Sequence, residues 1–436
     1  MTGNFGLGWF FSRKQKTHSA KSRRRANRPL QVEMLESKLP LAGNIAATLT
    51  GGVLTLTGDN AANVAQISGT AGMVRVLGFG TSIGGLPVRT YTGVTNIAFF
   101  GNGGNDSLTV SSLSLTGNLL ASMDSTTVGH DNVALWNVNV GGDVEVLTDP
   151  VDAFGIVNSS AGADTVTLNN VTAGDDVFVI MGDIGGIAGA ARDTLTANRV
   201  TANNNAPVSD FSLFKTGNGP DSISLFGLNI KSDLFVDASP DFGNSSANDV
   251  VSVNSATITG FLDIRTDDSF TPTSHGNDMA TVSGVHAEFL TLATQGGNDT
   301  VSILNSTFGE PPFGLGELLS FVNVGAASGA DRDVVTVTNT KFYGGVELTT
   351  GADMDFVTIT GSLSYGQSAV DIHTVIDLGA GNDYLSMNYN RVDDLALLEL
   401  IGGAGIDFVY AIGNRDLGGD PVVVPQIPGI EFLFSI

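Results

Sequence analysis

A short pattern of polar and apolar residues recurs along most of the chain: Asp, any residue, an aliphatic residue, Ser or Thr, and a second aliphatic residue. Asp164-Thr165-Val166-Thr167-Leu168 is one copy. The copies begin at Asp106, Asp131, Asp164, Asp193, Asp221, Asp249, Asp278, Asp299, Asp333, Asp355, Asp383 and Asp407. Because side chains alternate between the two faces of a strand, the pattern predicts strands with aliphatic residues on one face and hydroxyls on the other.

Each of these strands is followed by a turn signal and then by more apolar residues. The sixth residue after the Asp is Asn, Ser or Gly in ten of the twelve copies, and the exceptions are Arg199 and Tyr389. Asn, Ser and Gly favour turns. A second apolar stretch, such as 177–180 or 289–292, usually follows and predicts a second strand in each repeat.

The spacing of the Asp residues indicates a repeat architecture. The first and last Asp lie 301 residues apart, and single intervals run from 21 to 34 residues. Units of this size cannot bury their own apolar face, but stacked units share one core. We therefore predict an all-β fold, a right-handed parallel β-helix or solenoid of about twelve coils with a β-rich N-terminal cap. A β-propeller is the alternative, although its blades need about 40 residues each.

The pattern divides the chain into four segments. Residues 1–43 read as a basic export or targeting segment, and residues 44–100 read as a less regular, β-rich N-terminal cap. Residues 101–414 hold the repeats, and residues 415–436 are predicted to form a C-terminal cap. Caps are expected because the end of a solenoid exposes unpaired backbone groups.

Charge is divided unevenly between these segments. The whole chain carries −24, but residues 1–38 hold nine of the twenty basic residues and only two acids, which leaves −31 for the rest. Such an acidic body repels nucleic acid and anionic lipid, and it either attracts divalent cations or stays soluble through its charge. The chain contains no Cys, so disulfide and thiolate chemistry are excluded. No apolar run in residues 1–43 is long enough to insert into a membrane.

The basic segment ends in Leu35-Glu36-Ser37-Lys38-Leu39-Pro40-Leu41. This stretch resembles the Leu-Glu-Pro-Arg-x-Leu-Leu signature of exported bacterial proteins, notably those of planctomycetes, in which it follows a basic stretch. Ser37 and Pro40 depart from that signature. The resemblance implies a secreted or cell-surface bacterial protein, whereas the residues alone also fit a solvated basic tail.

The loops before several of the Asp residues are rich in glycine. Residues 402–410 match the pattern Gly-Gly-x-Gly-x-Asp-x-aliphatic-x, and residues 379–385 lack only its first Gly. These loops resemble the calcium-binding nonapeptides of the repeats-in-toxin, or hemolysin-type, family, whose repeats follow one another every nine residues. The resemblance implies Ca²⁺ as the cofactor, at Asp383, Asp407, Gly381, Gly405, Asp106 and Asp299. The alternative is that each Asp is a turn residue whose side chain accepts backbone N–H groups.

The sequence contains no motif that fixes a catalytic chemistry. Adjacent acids occur at Asp175-Asp176, Asp267-Asp268 and Asp393-Asp394, and solvated turns account for them. Arg265 and Arg391 are candidate bases of a polysaccharide lyase, or surface residues of the coils. No catalytic residue is therefore assigned.

We predict a non-enzymatic structural or adhesive surface protein whose partners are extracellular polysaccharide or other surface proteins. A polysaccharide-binding or polysaccharide-cleaving protein, either lyase or glycoside hydrolase, is the alternative. Acids and an Arg that line one groove would favour an enzyme. An exposed aromatic row would favour sugar binding, and uniform Ser, Thr and Asn faces would favour the structural role.

Overall fold

The described part of the chain is all-β. The computed structural model describes residues 43–70, 72–124, 129–149, 162–182, 191–204, 211–217, 219–238, 247–267, 276–309, 319–325, 331–364, 374–392, 398–416, 420–421, 430 and 432–435. None of these residues lies in a helix. The predicted export segment, apart from Gly43, lies outside the described residues.

The strands that follow the Asp residues form one long sheet, which we call the Asp sheet. From Asp221 onward each repeat contributes a five-residue strand and then a two-residue strand to it. Its strands are β3 (Val64–Thr70), β4 (Met73–Gly78), β6 (Val88–Thr92), β8 (Ser107–Ser114), β10 (Asn132–Val140), β12 (Thr165–Ala173), β14 (Thr194–Ala202), β16 (Ser222–Phe226), β17 (Asn229–Ile230), β19 (Val250–Asn254), β20 (Thr257–Ile258), β22 (Met279–Ser283), β23 (His286–Ala287), β25 (Thr300–Leu304), β26 (Thr307–Phe308), β28 (Val334–Thr338), β29 (Lys341–Phe342), β31 (Phe356–Thr360), β32 (Leu363–Ser364), β35 (Tyr384–Asn388), β36 (Arg391–Val392), β39 (Phe408–Ile412), β40 (Arg415–Asp416) and β41 (Phe432–Ser435).

The second apolar stretch of each repeat joins another long sheet, the second sheet. Its strands are β1 (Gly43–Thr50), β2 (Val53–Thr57), β5 (Thr81–Ile83), β7 (Asn96–Asn102), β9 (Leu119–Asp124), β11 (Val144–Leu147), β13 (Val177–Ile180), β15 (Phe211–Lys215), β18 (Asp233–Asp237), β21 (Leu262–Arg265), β24 (Leu290–Ala293), β27 (Ser320–Asn323), β30 (Val346–Thr349), β33 (Thr374–Asp377) and β37 (Leu398–Ile401). A small third sheet pairs β34 (Ala380–Gly381) with β38 (Ala404–Gly405).

Equivalent residues of successive repeats pair in parallel and in register. Strand β25 pairs with β28 so that Ser302 lies opposite Thr336, and β28 pairs with β31 so that Thr336 lies opposite Thr358. In the second sheet, β18 pairs with β21 in the same way. Two long parallel sheets built from alternate strands of one chain are consistent with the solenoid predicted from the sequence.

The core lies between the sheets and consists of the aliphatic positions of the repeat. The alternation predicts that Val166, Leu168, Val301, Ile303, Val335 and Val337 point inward. All six are at most 3 % exposed. That prediction is confirmed, because a period of two places both aliphatic positions of each strand on the same face.

The turn predicted at the sixth position adopts one conformation in every repeat. All twelve residues at this position have φ between 50° and 67°, in the left-handed region. Eight of the twelve are not glycine: six are Asn or Ser, and the other two are Arg199 and Tyr389. The stacked repeats therefore impose the left-handed conformation at this position, because Arg199 and Tyr389 adopt it although their side chains disfavour it.

Both ends of the described repeats carry additional strands. In the N-terminal segment, β1 pairs with β2, β3 with β4 and β4 with β6, all antiparallel. The same segment joins the repeats through the parallel pairs β2–β7 and β3–β8. At the other end, β41 pairs in parallel with β39.

Candidate functional site

The Asp residues that open the repeats form a continuous hydrogen-bonded column, the Asp column. Each backbone N–H of the first eleven donates to Oδ1 of the Asp in the next repeat, at distances of 2.6–3.0 Å. The Asn63 N–H donates to Asp106 in the same way, at 2.7 Å. All twelve Asp residues are at most 2 % exposed. The carboxylates therefore accept backbone N–H groups, as the turn interpretation proposes, but the donor belongs to the preceding repeat.

The other carboxylate oxygen of the column is largely without a donor. Oδ2 is buried and makes no hydrogen bond of normal geometry in Asp106, Asp164, Asp221, Asp249, Asp278, Asp299, Asp333, Asp355 and Asp383. A Thr hydroxyl nonetheless lies close enough to lower the pKa of several of these carboxyls, as Thr216 does for Asp221 and Thr294 for Asp299. In two repeats a glycine lies close to this oxygen: a Cβ added to Gly101 or Gly325 would overlap Oδ2 of Asp106 or Asp333. A glycine there leaves room for the carboxylate.

Burial raises the pKa of the column carboxyls, because the protein interior disfavours the charged form. The pKa rises from 3.8 to about 6 in Asp106 and Asp383, about 7 in Asp221 and Asp278, about 8 in Asp299, Asp333 and Asp355, about 9 in Asp193 and about 10 in Asp249. The donated backbone N–H lowers each of these pKa values in part. Burial in the column therefore favours the protonated form of these carboxyls in the folded protein.

The predicted calcium residues come together only at the C-terminal repeats. Asp383 and Asp407 are neighbours in the column, since the Asp383 N–H donates to Asp407 Oδ1 at 3.0 Å. Gly381 pairs with Gly405, and a Cβ on Gly405 would overlap the carbonyl oxygen of Gly381.

Asp106 and Asp299 are not neighbours in the Asp column: the Asp106 N–H donates to Asp131, and the Asp299 N–H donates to Asp333. The described residues contain no group of three or more Asp, Glu, His or Cys that could hold a metal ion.

The outer face of the second sheet carries a row of aromatic rings, which we call the aromatic row. Its ring centroids lie 5.5, 5.3, 5.0 and 5.2 Å apart along the row. The first three ring pairs are nearly perpendicular and the fourth is stacked. The row consists of Phe178, Phe211, Phe235, Phe261 and Phe289.

A groove of about 290 Å³ opens beside the aromatic row, and we call it the aromatic groove. It is lined by Phe211, Leu213, Phe235, Val236, Asp237, Asp263 and Arg265. Two ion pairs meet there: Lys215 Nζ lies 2.7 Å from Asp237 Oδ2, and Arg265 Nη2 lies 2.7 Å from Asp263 Oδ2. The Arg265 side chain is 51 % exposed, so it presents its charged group to solvent.

Most other candidates from the sequence are not assembled into a site. Asp176 is buried, and its backbone N–H donates to Asp143 at 3.4 Å. Arg391 lies in β36, away from the groove. Asp268, Asp393 and Asp394 lie outside the described residues. Among the described sequence candidates, Arg265 lies in the groove, and sequence reasoning missed the aromatic residues beside it.

The alternation of residues in the second strands indicates the aromatic row. In Leu234-Phe235-Val236 the outer two residues are buried, so the alternation turns Phe235 away from the core. An outward Phe in several second strands is the pattern that would have indicated an aromatic row.

Comparison of the chain with family models, with curated proteins and with solved structures gave no match in any of the three searches. Within the described ranges, no helix has the length and apolar character needed to cross a membrane.

Proposed function

We propose that the chain is an exported structural or adhesive β-solenoid of the bacterial cell surface, a right-handed parallel β-helix of about twelve coils. The observation that carries the proposal is the outer face of the Asp sheet. The residue between the two buried aliphatic positions is Ser or Thr in ten of the twelve repeats, and these residues align in register from strand to strand. Such a uniform hydroxyl face suits a scaffold better than a catalytic site.

The charge of the chain supports a location outside the cell. The body carries −31 against +7 on residues 1–38. An acidic surface stays soluble and repels anionic partners, and a short basic segment ahead of it fits an export signal that is removed.

Cell fractionation tests the location and the processing. Cells that make the protein are separated into cytoplasm, envelope and medium, and the protein is identified by mass spectrometry of its N-terminal peptide. We expect envelope or medium protein that begins after about Ala42 and is cleaved by protease added to intact cells. Cytoplasmic protein with an intact Met1 would contradict the proposal.

We also propose that Ca²⁺ stabilises the C-terminal repeats through Asp383 and Asp407. Two observations support the fit. Asp383 Oδ2 is buried and makes no hydrogen bond of normal geometry, and the neighbouring Asp407 carboxyl raises the pKa of Asp383. The glycine loops also stack so closely that no side chain fits between them. Backbone carbonyls of the glycine loops would have to supply further oxygen ligands. Bound calcium would offset the cost of burying these carboxylates.

A further inference from the structure

We propose that the aromatic groove binds a neutral polysaccharide chain. The site lies on the second sheet, away from the hydroxyl face, and its ligand chemistry goes beyond the structural role. The groove crosses three consecutive strands, β15, β18 and β21. It is therefore shaped by two or three residues from each of three repeats.

The apolar part of the groove matches the apolar face of a sugar ring. Phe211 and Phe235 line it, 5.3 Å apart and nearly perpendicular to one another. Because the two rings are nearly perpendicular, they do not both lie flat on the sheet. A pyranose ring presents C–H groups on its faces, and such groups pack on aromatic surface, where burial is favourable.

The polar part of the groove matches the hydroxyls around a sugar ring. Asp237, Asp263 and Arg265 stand beside the rings, and the two carboxylates each already contact a cation at 2.7 Å. Carboxylates and a guanidinium held in fixed positions form strong, directional hydrogen bonds. A few such groups beside apolar side chains are typical of small-molecule sites.

The balance of charge selects a neutral ligand. Lys215 and Arg265 neutralise Asp237 and Asp263, so the groove itself carries no net charge. The wider face of the second sheet is acidic, with Glu145 and Glu347 at outward positions of β11 and β30. Polyuronates and sulfated polysaccharides are therefore repelled, while neutral glucans or xylans are not.

Affinity electrophoresis of the full chain tests the inference. The protein migrates through native gels that contain hydroxyethylcellulose, xylan or dextran as neutral probes, or polygalacturonate as the anionic probe. We expect retardation by at least one neutral polymer and none by polygalacturonate. Arg265→Gln and Phe235→Ala should each weaken retardation on the order of tenfold, which is about 1.4 kcal/mol.

Phe321→Ala is the matched control. Phe321 is 44 % exposed and occupies the same outward row as Phe235, three strands further along the second sheet. Its loss should leave retardation unchanged. Because Arg265 is half exposed, Arg265→Gln keeps the fold, and a melting curve like that of the wild type verifies this.

Three outcomes would overturn the inference. Migration unaffected by every neutral polymer would show that the aromatic row serves only to stabilise the stack. Stronger retardation by polygalacturonate than by neutral polymers would refute the charge argument. Equal losses in Phe321→Ala and Phe235→Ala would place binding outside the groove. Because the assay uses purified protein, none of these results depends on where the cell places the chain.

Discussion

The substitution Asp299→Asn tests whether the Asp column lowers stability at neutral pH. Asn has nearly the shape of Asp, and its side-chain oxygen can accept the Asp278 N–H that the carboxylate accepts at 2.8 Å. The second carboxylate oxygen of Asp299 makes no hydrogen bond of normal geometry, although the Thr294 hydroxyl lies close enough to lower its pKa. The variant therefore keeps the bond between repeats and removes the ionisable group.

The size of the effect follows from the pKa of Asp299. Burial is the main cause that raises this pKa from 3.8 to about 8. The N–H of Asp278 and the hydroxyl of Thr294 oppose the rise, and the carboxylates of Asp278 and Asp331 add to it. When a carboxyl has a higher pKa in the folded protein than in the unfolded chain, the free energy of unfolding falls as the pH rises from 3.8. The fall is complete once the pH is above the pKa of the folded state. The cost is under about 1 kcal/mol at about pH 4 and several kcal/mol, on the order of 4, at pH 7.

Urea unfolding at about pH 4 and about pH 8 measures the effect. We expect the free energies of unfolding of the variant and the wild type to be nearly equal at the lower pH. At the higher pH the variant should be more stable by a few kcal/mol. Glu399→Gln, which removes one exposed acid of the second sheet, is the control for the loss of a charge as such.

A stability difference that stays constant between the two pH values would refute the reasoning. It would mean that Asp299 ionises in the folded protein as easily as in the unfolded chain. A variant less stable than the wild type at the higher pH would refute it as well, because the charged carboxylate would then be stabilising.

Four further predictions follow from the same geometry. Arg199 has φ of 54°, a left-handed conformation that glycine adopts at lower cost. Arg199→Gly should therefore raise the free energy of unfolding, measured in urea, by about 0.5–1 kcal/mol. Val335→Asp places a charge in a fully buried row and should cost several kcal/mol, visible as a fall in melting temperature. Gly405→Ala forces a methyl group onto the Gly381 carbonyl and should cost about 1–3 kcal/mol by the same measurement, with unchanged stability as the contradicting result. Millimolar Ca²⁺ should raise the melting temperature, a chelator should reverse the rise, and Mg²⁺ should substitute poorly. Asp383→Asn combined with Asp407→Asn should abolish the response to Ca²⁺, and equal melting curves with calcium and with chelator would contradict the site.

Much of the fold could be predicted from local pattern. The inward direction of Val166 and Val335 follows from the period of two, and the turn follows from the small polar residues at the sixth position. These features depend on residues only a few positions apart, so the sequence displays them directly. The recurrence of the Asp also indicated that equivalent residues stack.

The contacts between repeats could be predicted less well. Intervals of 21 to 34 residues hide which residues of neighbouring repeats face each other. The bond from the Asp278 N–H to Asp299 joins two repeats, and local turn chemistry does not show it. Likewise, Phe211 meets Phe235 only because strands β15 and β18 align in register, and Asp263 and Arg265 of β21 join them only because β21 aligns with β18. The groove is thus a product of stacking rather than of any one motif.

Disulfide trapping tests the central claim, the in-register parallel stacking of the repeats, most directly. The chain contains no Cys, so introduced pairs react without competition. Ser302 and Thr336 lie opposite each other on adjacent strands, about 5 Å apart, whereas Ser302 and Thr358 are separated by two strand spacings, about 10 Å. A disulfide needs Cα atoms within about 7 Å. In-register stacking predicts that the pair Ser302→Cys and Thr336→Cys oxidises to a disulfide in the folded protein, while the pair Ser302→Cys and Thr358→Cys stays reduced. Equal oxidation of both pairs, or oxidation of the second pair alone, would contradict the stacking.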